Sequence, residues 1–166
     1  MRKSDLKATN VACTLAMCLW SLHTLIFALR LMRYAGVISF NVYMGIDIAP
    51  IKWYEDQEAQ LAQWIELVGY IVTTIAVLYL TLRLIITTRR GLAARQLFTR
   101  SNARLLMWLA GIVFFNIFFT DNIGIIYGSK QVLIRSAAFV SSFAILIAAM
   151  LYRIAVSVAE ENDLTI

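Results

Sequence analysis

Charged residues in this chain fall in clusters, and the stretches between them are almost wholly apolar. Between Lys7 and Arg30 no charge interrupts the run, and residues 8–29 supply the roughly 20 positions that a helix needs to cross the hydrocarbon of a bilayer. The uncharged runs 67–82, 105–120 and 136–152 are shorter. Glu66 and Arg83, Arg104 and Asp121, and Arg135 and Arg153 bracket them, and long charged side chains at such positions turn their head groups toward the interfaces. Lipid offers no partner for a free backbone N–H or C=O, so each run must be a continuous helix. The expectation is all-α: a single integral membrane domain over residues 1–166, built as a four-helix bundle with spans at about 8–31, 64–88, 102–124 and 133–156.

Composition agrees with lipid as the solvent. Hydrophobic residues make up 61% of the chain and charged ones 15%, and a mean hydropathy of +0.74 leaves too little polar surface for a water-soluble globule. The net charge of +5 comes from basic residues at the ends of apolar runs, where they meet anionic headgroups; the interleaved basic and aromatic surface of a nucleic-acid binder is missing, so no nucleic acid is expected as a partner. Arg2, Lys3 and Lys7 precede the first span, and Arg89, Arg90, Arg95 and Arg100 lie between the second and third. By the positive-inside rule both segments are cytoplasmic, giving an N-in, C-in topology with a large extracytoplasmic loop between spans 1 and 2. A cleaved signal peptide is the rival reading of the amino terminus; the apolar run is longer than usual for one and lacks a clear small-x-small cleavage site.

The outer loop, residues 32–63, holds the turn-prone Gly36 and Gly45 and the only proline, Pro50, with Asp47 and Lys52 among its charges. From 53 to 64 acids and glutamines alternate with Trp53, Tyr54, Leu61 and Trp64, which fits a short helix at the outer interface, either as an aromatic belt or as a ligand platform. On the cytoplasmic side Gly91 is a candidate end for the second helix, and Thr99, Ser101 or Asn102 a candidate cap for the third. Phe98 among the arginines is either a lipid anchor or the centre of a docking site for a protein.

Two stretches carry a resemblance. Gln96-Leu-Phe-Thr-Arg-Ser-Asn102-Ala-Arg-Leu-Leu106 before the third span and the closing Ala159-Glu-Glu-Asn-Asp-Leu-Thr-Ile166 look like signatures of the bacterial membrane proteins grouped as the domain of unknown function 2975 family. In that family a phenylalanine and an asparagine precede the third span and an acidic stretch ends the chain. The resemblance implies a multi-pass protein of the bacterial inner membrane with no established activity to transfer, and a helix-turn-helix regulator as partner. Physically, Glu160, Glu161 and Asp163 sit at the negative end of the last helix, where they gain by meeting cations; the tail is either folded back onto Arg95, Arg100 or Arg104 or free in solvent. The candidate docking set is therefore Arg95, Phe98, Arg100, Asn102, Arg104, Glu160, Glu161 and Asp163.

Inside the membrane no ionisable group sits mid-span. Glu66, Asp121 and Arg135 fall near the outer ends of spans 2 to 4, where an ion pair would tie three helices, or, with Asn116 and Asn122, line a polar site opening outward. His23 stands alone, without the second axial ligand a haem commonly needs. Cys13 and Cys18, the only cysteines, are five apart and form no C-x-x-C. Phosphate-binding glycine patterns and zinc spacings are absent, so no cofactor and no catalysis are expected. Ala137, Ser141, Ala144, Ala148 and Ala155 make a small-residue stripe that admits another backbone, either inside the bundle, the favoured reading, or on a second copy of the chain. Asn116 and Ser142 are candidates for hydrogen bonds between helices. Together these features describe a noncatalytic protein that senses, regulates or protects by binding a protein partner; the alternative is a small transporter or channel.

Overall fold

The polar punctuation between the apolar runs sets where the helices begin and end. The computed structural model describes residues 3–38, 51, 53–94 and 98–163. The sequence readings placed on Gly45, Asp47, Pro50, Lys52, Arg95, the closing Leu164-Thr165-Ile166 and the side chain of Asp163 lie outside what is described. Four helices carry the chain: α1 (Lys3–Tyr34), α2 (Gln57–Ala93), α3 (Arg100–Asp121) and α4 (Ser136–Asp163), with a short 3-10 helix at Ile123–Tyr127 and no strand among the described residues. All four are long and apolar enough to cross a membrane, and the protein is a multi-pass membrane protein.

Their ends follow from local chemistry. Asp56 caps α2 by accepting a bond from the Ala59 N–H at 3.1 Å, and Thr99 caps α3 by accepting one from the Asn102 N–H at 3.3 Å. Gly36 closes α1 with φ 72°; its N–H donates to the Arg33 carbonyl at 3.0 Å and the Val37 N–H to the Met32 carbonyl at 2.9 Å, a left-handed stop that spares a Cβ the steric cost. Two expectations change here. The amphipathic stretch around Trp64 is not a separate interfacial helix, because from Gln57 onward it forms the first turns of α2. Gly91 does not end that helix either; it is buried within it, and α2 runs on to Ala93. At 37 residues α2 measures about 55 Å, against roughly 30 Å of hydrocarbon, so its ends project into the interfaces.

Consecutive helices run antiparallel and touch in chain order, α1 on α2, α2 on α3 and α3 on α4, while among the described residues α1 and α4 do not approach each other. The assembly is an open row of four helices. In water the apolar faces would force closure; in lipid an apolar face gains nothing by turning inward, and association depends on close packing and polar bonds.

Each seam has its own means. Along α1 and α2 the Trp20 indole N–H donates to the Leu78 carbonyl at 2.8 Å, Arg30 donates to the Tyr70 hydroxyl at 3.0 Å and Arg89 to the Thr14 hydroxyl at 3.0 Å. Between α2 and α3 the Asn116 amide donates to Thr74 Oγ1 at 2.8 Å, and Gly69 lies so close under the Phe119 ring that any Cβ would collide with it. Between α3 and α4 the buried α4 residues are Ala138, Ala149 and Val156, one helical face, with Phe114 and Phe139 meeting edge to face at 5.0 Å. This seam corrects the favoured reading of the small-residue stripe: Ala137, Ala144 and Ala148 are exposed, Ser141 and Ala155 half-buried. The helix is turned by about one residue, roughly 100°, from that reading. The Ser142 hydroxyl is buried without a hydrogen-bond partner, so it makes no bond between helices.

Candidate functional site

Polar side chains gather at the two ends of the row. At the end that carries the 3-10 helix, α2 presents Gln63, Glu66 and Tyr70 at steps of three and four residues, hence on one face, and all three are buried. The Gln63 amide donates to the Ile126 carbonyl at 2.9 Å and accepts from the Tyr54 N–H at 3.1 Å, pinning the 3-10 helix and the chain before α2 onto that face. One step deeper, Glu66 is 3% exposed, and its Oε1 has no hydrogen-bond partner. Tyr70 receives the Arg30 guanidinium and packs edge-on to Phe27 and Tyr34 at 5.9 and 6.5 Å; Tyr34 in turn meets Tyr127 at 6.3 Å. Trp53 and Trp64 stack at 4.4 Å at the rim.

The predicted polar cluster is divided by this arrangement. Asp121 and Arg135 pair at 3.6 Å, joining the end of α3 to the start of α4. Glu66 takes no part in that pair, so the three-helix ion pair is not formed; Glu66 is buried on α2, on the face from which Gln63 binds the 3-10 helix. Asn122 is structural. Its amide donates to the Phe118 and Leu133 carbonyls at 2.8 and 2.9 Å and its Oδ1 accepts from the Leu133 N–H at 2.6 Å, which clasps the segment before α4. Asn116 lies deeper, in the α2–α3 seam, and donates to Thr74 and Thr73. Sequence reasoning missed Gln63, Arg30, Tyr34, Tyr70 and Tyr127 as neighbours of this region. The spacing of Gln63, Glu66 and Tyr70 was a usable signal for part of it.

At the opposite, basic end the segment before α3 forms a lock. Asn102, 1% exposed, donates to the Tyr152 hydroxyl at 3.3 Å and to Thr88 Oγ1 at 3.5 Å, so one amide spans α2, α3 and α4. Phe98 lies on the Tyr152 ring at 5.4 Å with about half of its surface free, and the Thr99 N–H reaches the same hydroxyl at 3.4 Å. Of the docking set, Asn102 is therefore withdrawn from any partner by burial, and Phe98 offers only its outer half. Arg100 binds Glu160 with two bonds of 2.8 and 2.7 Å, fastening the end of α4 to the start of α3. The guanidinium holds the Glu160 carboxyl below the usual carboxylate range. Arg104 and Glu161 are exposed beside them.

Neither metal nor thiol chemistry is assembled. Among the described residues no three of His, Cys, Asp and Glu come together; Cys13 is buried and Cys18 exposed, both free; and His23 is exposed on α1 beside the groove it shares with α2. No protein family, no curated protein and no solved structure matches the chain.

Proposed function

We propose that the chain is a noncatalytic protein of the bacterial inner membrane, with both ends cytoplasmic, which acts in regulation, sensing or protection by binding another protein within or beside the bilayer. The resemblance of the two stretches quoted above to the domain of unknown function 2975 family supports this reading. The observation that carries it is the open row: the side-chain amides of Asn116 and Asn102 and the Trp20 indole hold helices together, while α4 leaves Ala137, Ala144 and Ala148 exposed. Small residues on a membrane helix let a second backbone come close, and that contact is worth most where no bulky side chain intervenes. A photo-crosslinking residue placed at Ala144 or Ala148 is expected to give a discrete protein adduct, identified by mass, that the same residue at Leu15 or Leu19 of α1 does not give. An adduct with a second copy of this chain would make that copy the partner. Lipid adducts alone from every position would end the proposal.

One observation favours a second reading, a small transporter or channel. A carboxyl buried to the extent of Glu66, with an oxygen lacking a partner, is costly in a bilayer and more often used than tolerated. Flux into liposomes that is lost on Glu66→Gln supports that reading; liposomes that stay tight with the unaltered chain remove it.

A further inference from the structure

At the basic end α3 and α4 carry matching patterns on facing sides. Arg100 and Arg104 on α3 and Arg153 and Ser157 on α4 are each one helical turn apart, so each helix presents two polar groups to the same gap. The gap is a cleft of about 630 Å³. Ala103 and Val156 form its buried floor, and the arginines stand exposed at its rim. Three guanidiniums line this cleft, and one of them, Arg100, is bound to the Glu160 carboxylate. Among the described residues no ion pair reaches Arg104 or Arg153. The first turn of α3 adds its own positive end to the field.

The depth of the cleft limits what can enter it. Arg104 and Arg153 mark the boundaries of the uncharged runs 105–120 and 136–152, which is the level where a spanning helix meets headgroups. Met107, 41% exposed, continues the wall toward the hydrocarbon, so a ligand here meets cations above and apolar surface below. A lipid phosphate has both requirements covalently joined, and basic pockets between membrane helices are suited to such headgroups. Guanidinium forks match phosphate oxygens in pairs, and the Ser157 hydroxyl can donate to a further one.

We infer that this cleft binds the phosphate headgroup of an anionic phospholipid between Arg104 and Arg153, and that Glu160, seated on Arg100, is the chain's own competing anion. The full chain is reconstituted in vesicles of equal parts phosphatidylcholine and phosphatidylglycerol and extracted in mild detergent, and retained phosphatidylglycerol is counted by native mass spectrometry. With roughly 5-fold per arginine near the surface, the double variant Arg104→Gln with Arg153→Gln should retain about 30-fold less, while Arg83→Gln with Arg90→Gln, an equal loss of charge on α2, should retain as much as the parent. Glu160→Gln should raise retention severalfold by freeing Arg100, a gain that misfolding does not produce. Equal loss in both double variants overturns the site in favour of general attraction to the membrane. Inorganic phosphate that broadens on the lipid-free chain in an Arg104- and Arg153-dependent way, with no phosphatidylglycerol retained, overturns the lipid as its ligand.

Discussion

Replacing Asn116 by leucine and Thr74 by valine, singly and together, tests whether one half-buried amide holds α2 to α3. The Asn116 amide reaches Thr74 Oγ1 at 2.8 Å but Thr73 Oγ1 only at 3.4 Å, and the Thr73 hydroxyl already lies 2.7 Å from the Gly69 carbonyl in its own helix. The two threonines therefore form an internal comparison on adjacent positions. Polar contacts between membrane helices average about 0.6 kcal/mol and reach about 1.7, and a 2.8 Å bond to the buried Thr74 hydroxyl belongs in the upper half of that range. We expect a coupling of about 1 to 1.5 kcal/mol between Asn116→Leu and Thr74→Val, and below about 0.3 kcal/mol between Asn116→Leu and Thr73→Val. Thr74→Val alone should cost more than the double variant adds to Asn116→Leu, because it leaves the half-buried amide without its main acceptor. Unfolding in mixed micelles titrated with sodium dodecyl sulfate, followed by far-ultraviolet circular dichroism, gives all four corners of each cycle. A Thr74 coupling no larger than the Thr73 coupling would refute the assignment of the seam to this bond.

Gly69→Ala should destabilise the same seam by about 1 to 3 kcal/mol, since the added methyl enters the space of the Phe119 ring; the same titration reads it, and Phe119→Ala in the Gly69→Ala background should recover part of the loss. Asn122→Ala removes three bonds and should cost about 1 to 3 kcal/mol, with faster hydrogen exchange at the Leu133 amide; unchanged exchange there would mean that the segment before α4 is held by something else. Because Arg100 depresses the Glu160 carboxyl, the link between the ends of α3 and α4 is fully present above the ordinary glutamate value of about 4.3 and is lost as pH falls through the lower folded value. The carboxyl carbon shift of Glu160 followed in micelles should show that displaced titration, and Arg100→Gln should return it to the ordinary range; identical curves for the two chains would remove the pair.

The four helices were legible because lipid makes an uncharged run an obligation, and each run from 8–29 to 136–152 lies inside one. Their full extent was less so. Nothing polar between Gln57 and Glu66 stops a helix, and the Asp56 cap starts α2 well before the apolar run begins. The inward reading of the Ala137-Ser141-Ala144-Ala148 stripe failed for a physical reason. A small-residue stripe says that a backbone can come near, and the neighbouring stripe Ala138-Ala149 says the same about a face one residue away; in hydrocarbon no penalty for exposed apolar surface chooses between them. The site was split in the same manner. Asp121 and Arg135 are close in sequence and find each other, whereas the enclosure of Glu66 depends on the 3-10 helix returning over α2, a turn held by the long-range bond from Gln63 to Ile126.

An open row asks different things of its two outer helices. α1 is joined to α2 by bonds from Trp20, Arg30 and Arg89 spread along most of its length, and directional bonds at three heights can be satisfied in one register only. α4 is joined to α3 by the smooth Ala138-Ala149-Val156 face, which by itself allows neighbouring registers. What fixes α4 lies at its ends, with Arg135 on Asp121 at one and the Tyr152 hydroxyl and Glu160 at the other. A ligand that takes Arg100 from Glu160 would thus act at one end of the seam between α3 and α4, beside the exposed small-residue face. Lipid bound in the cleft and a partner bound on α4 would then meet through a single helix, without any change in α1 or α2.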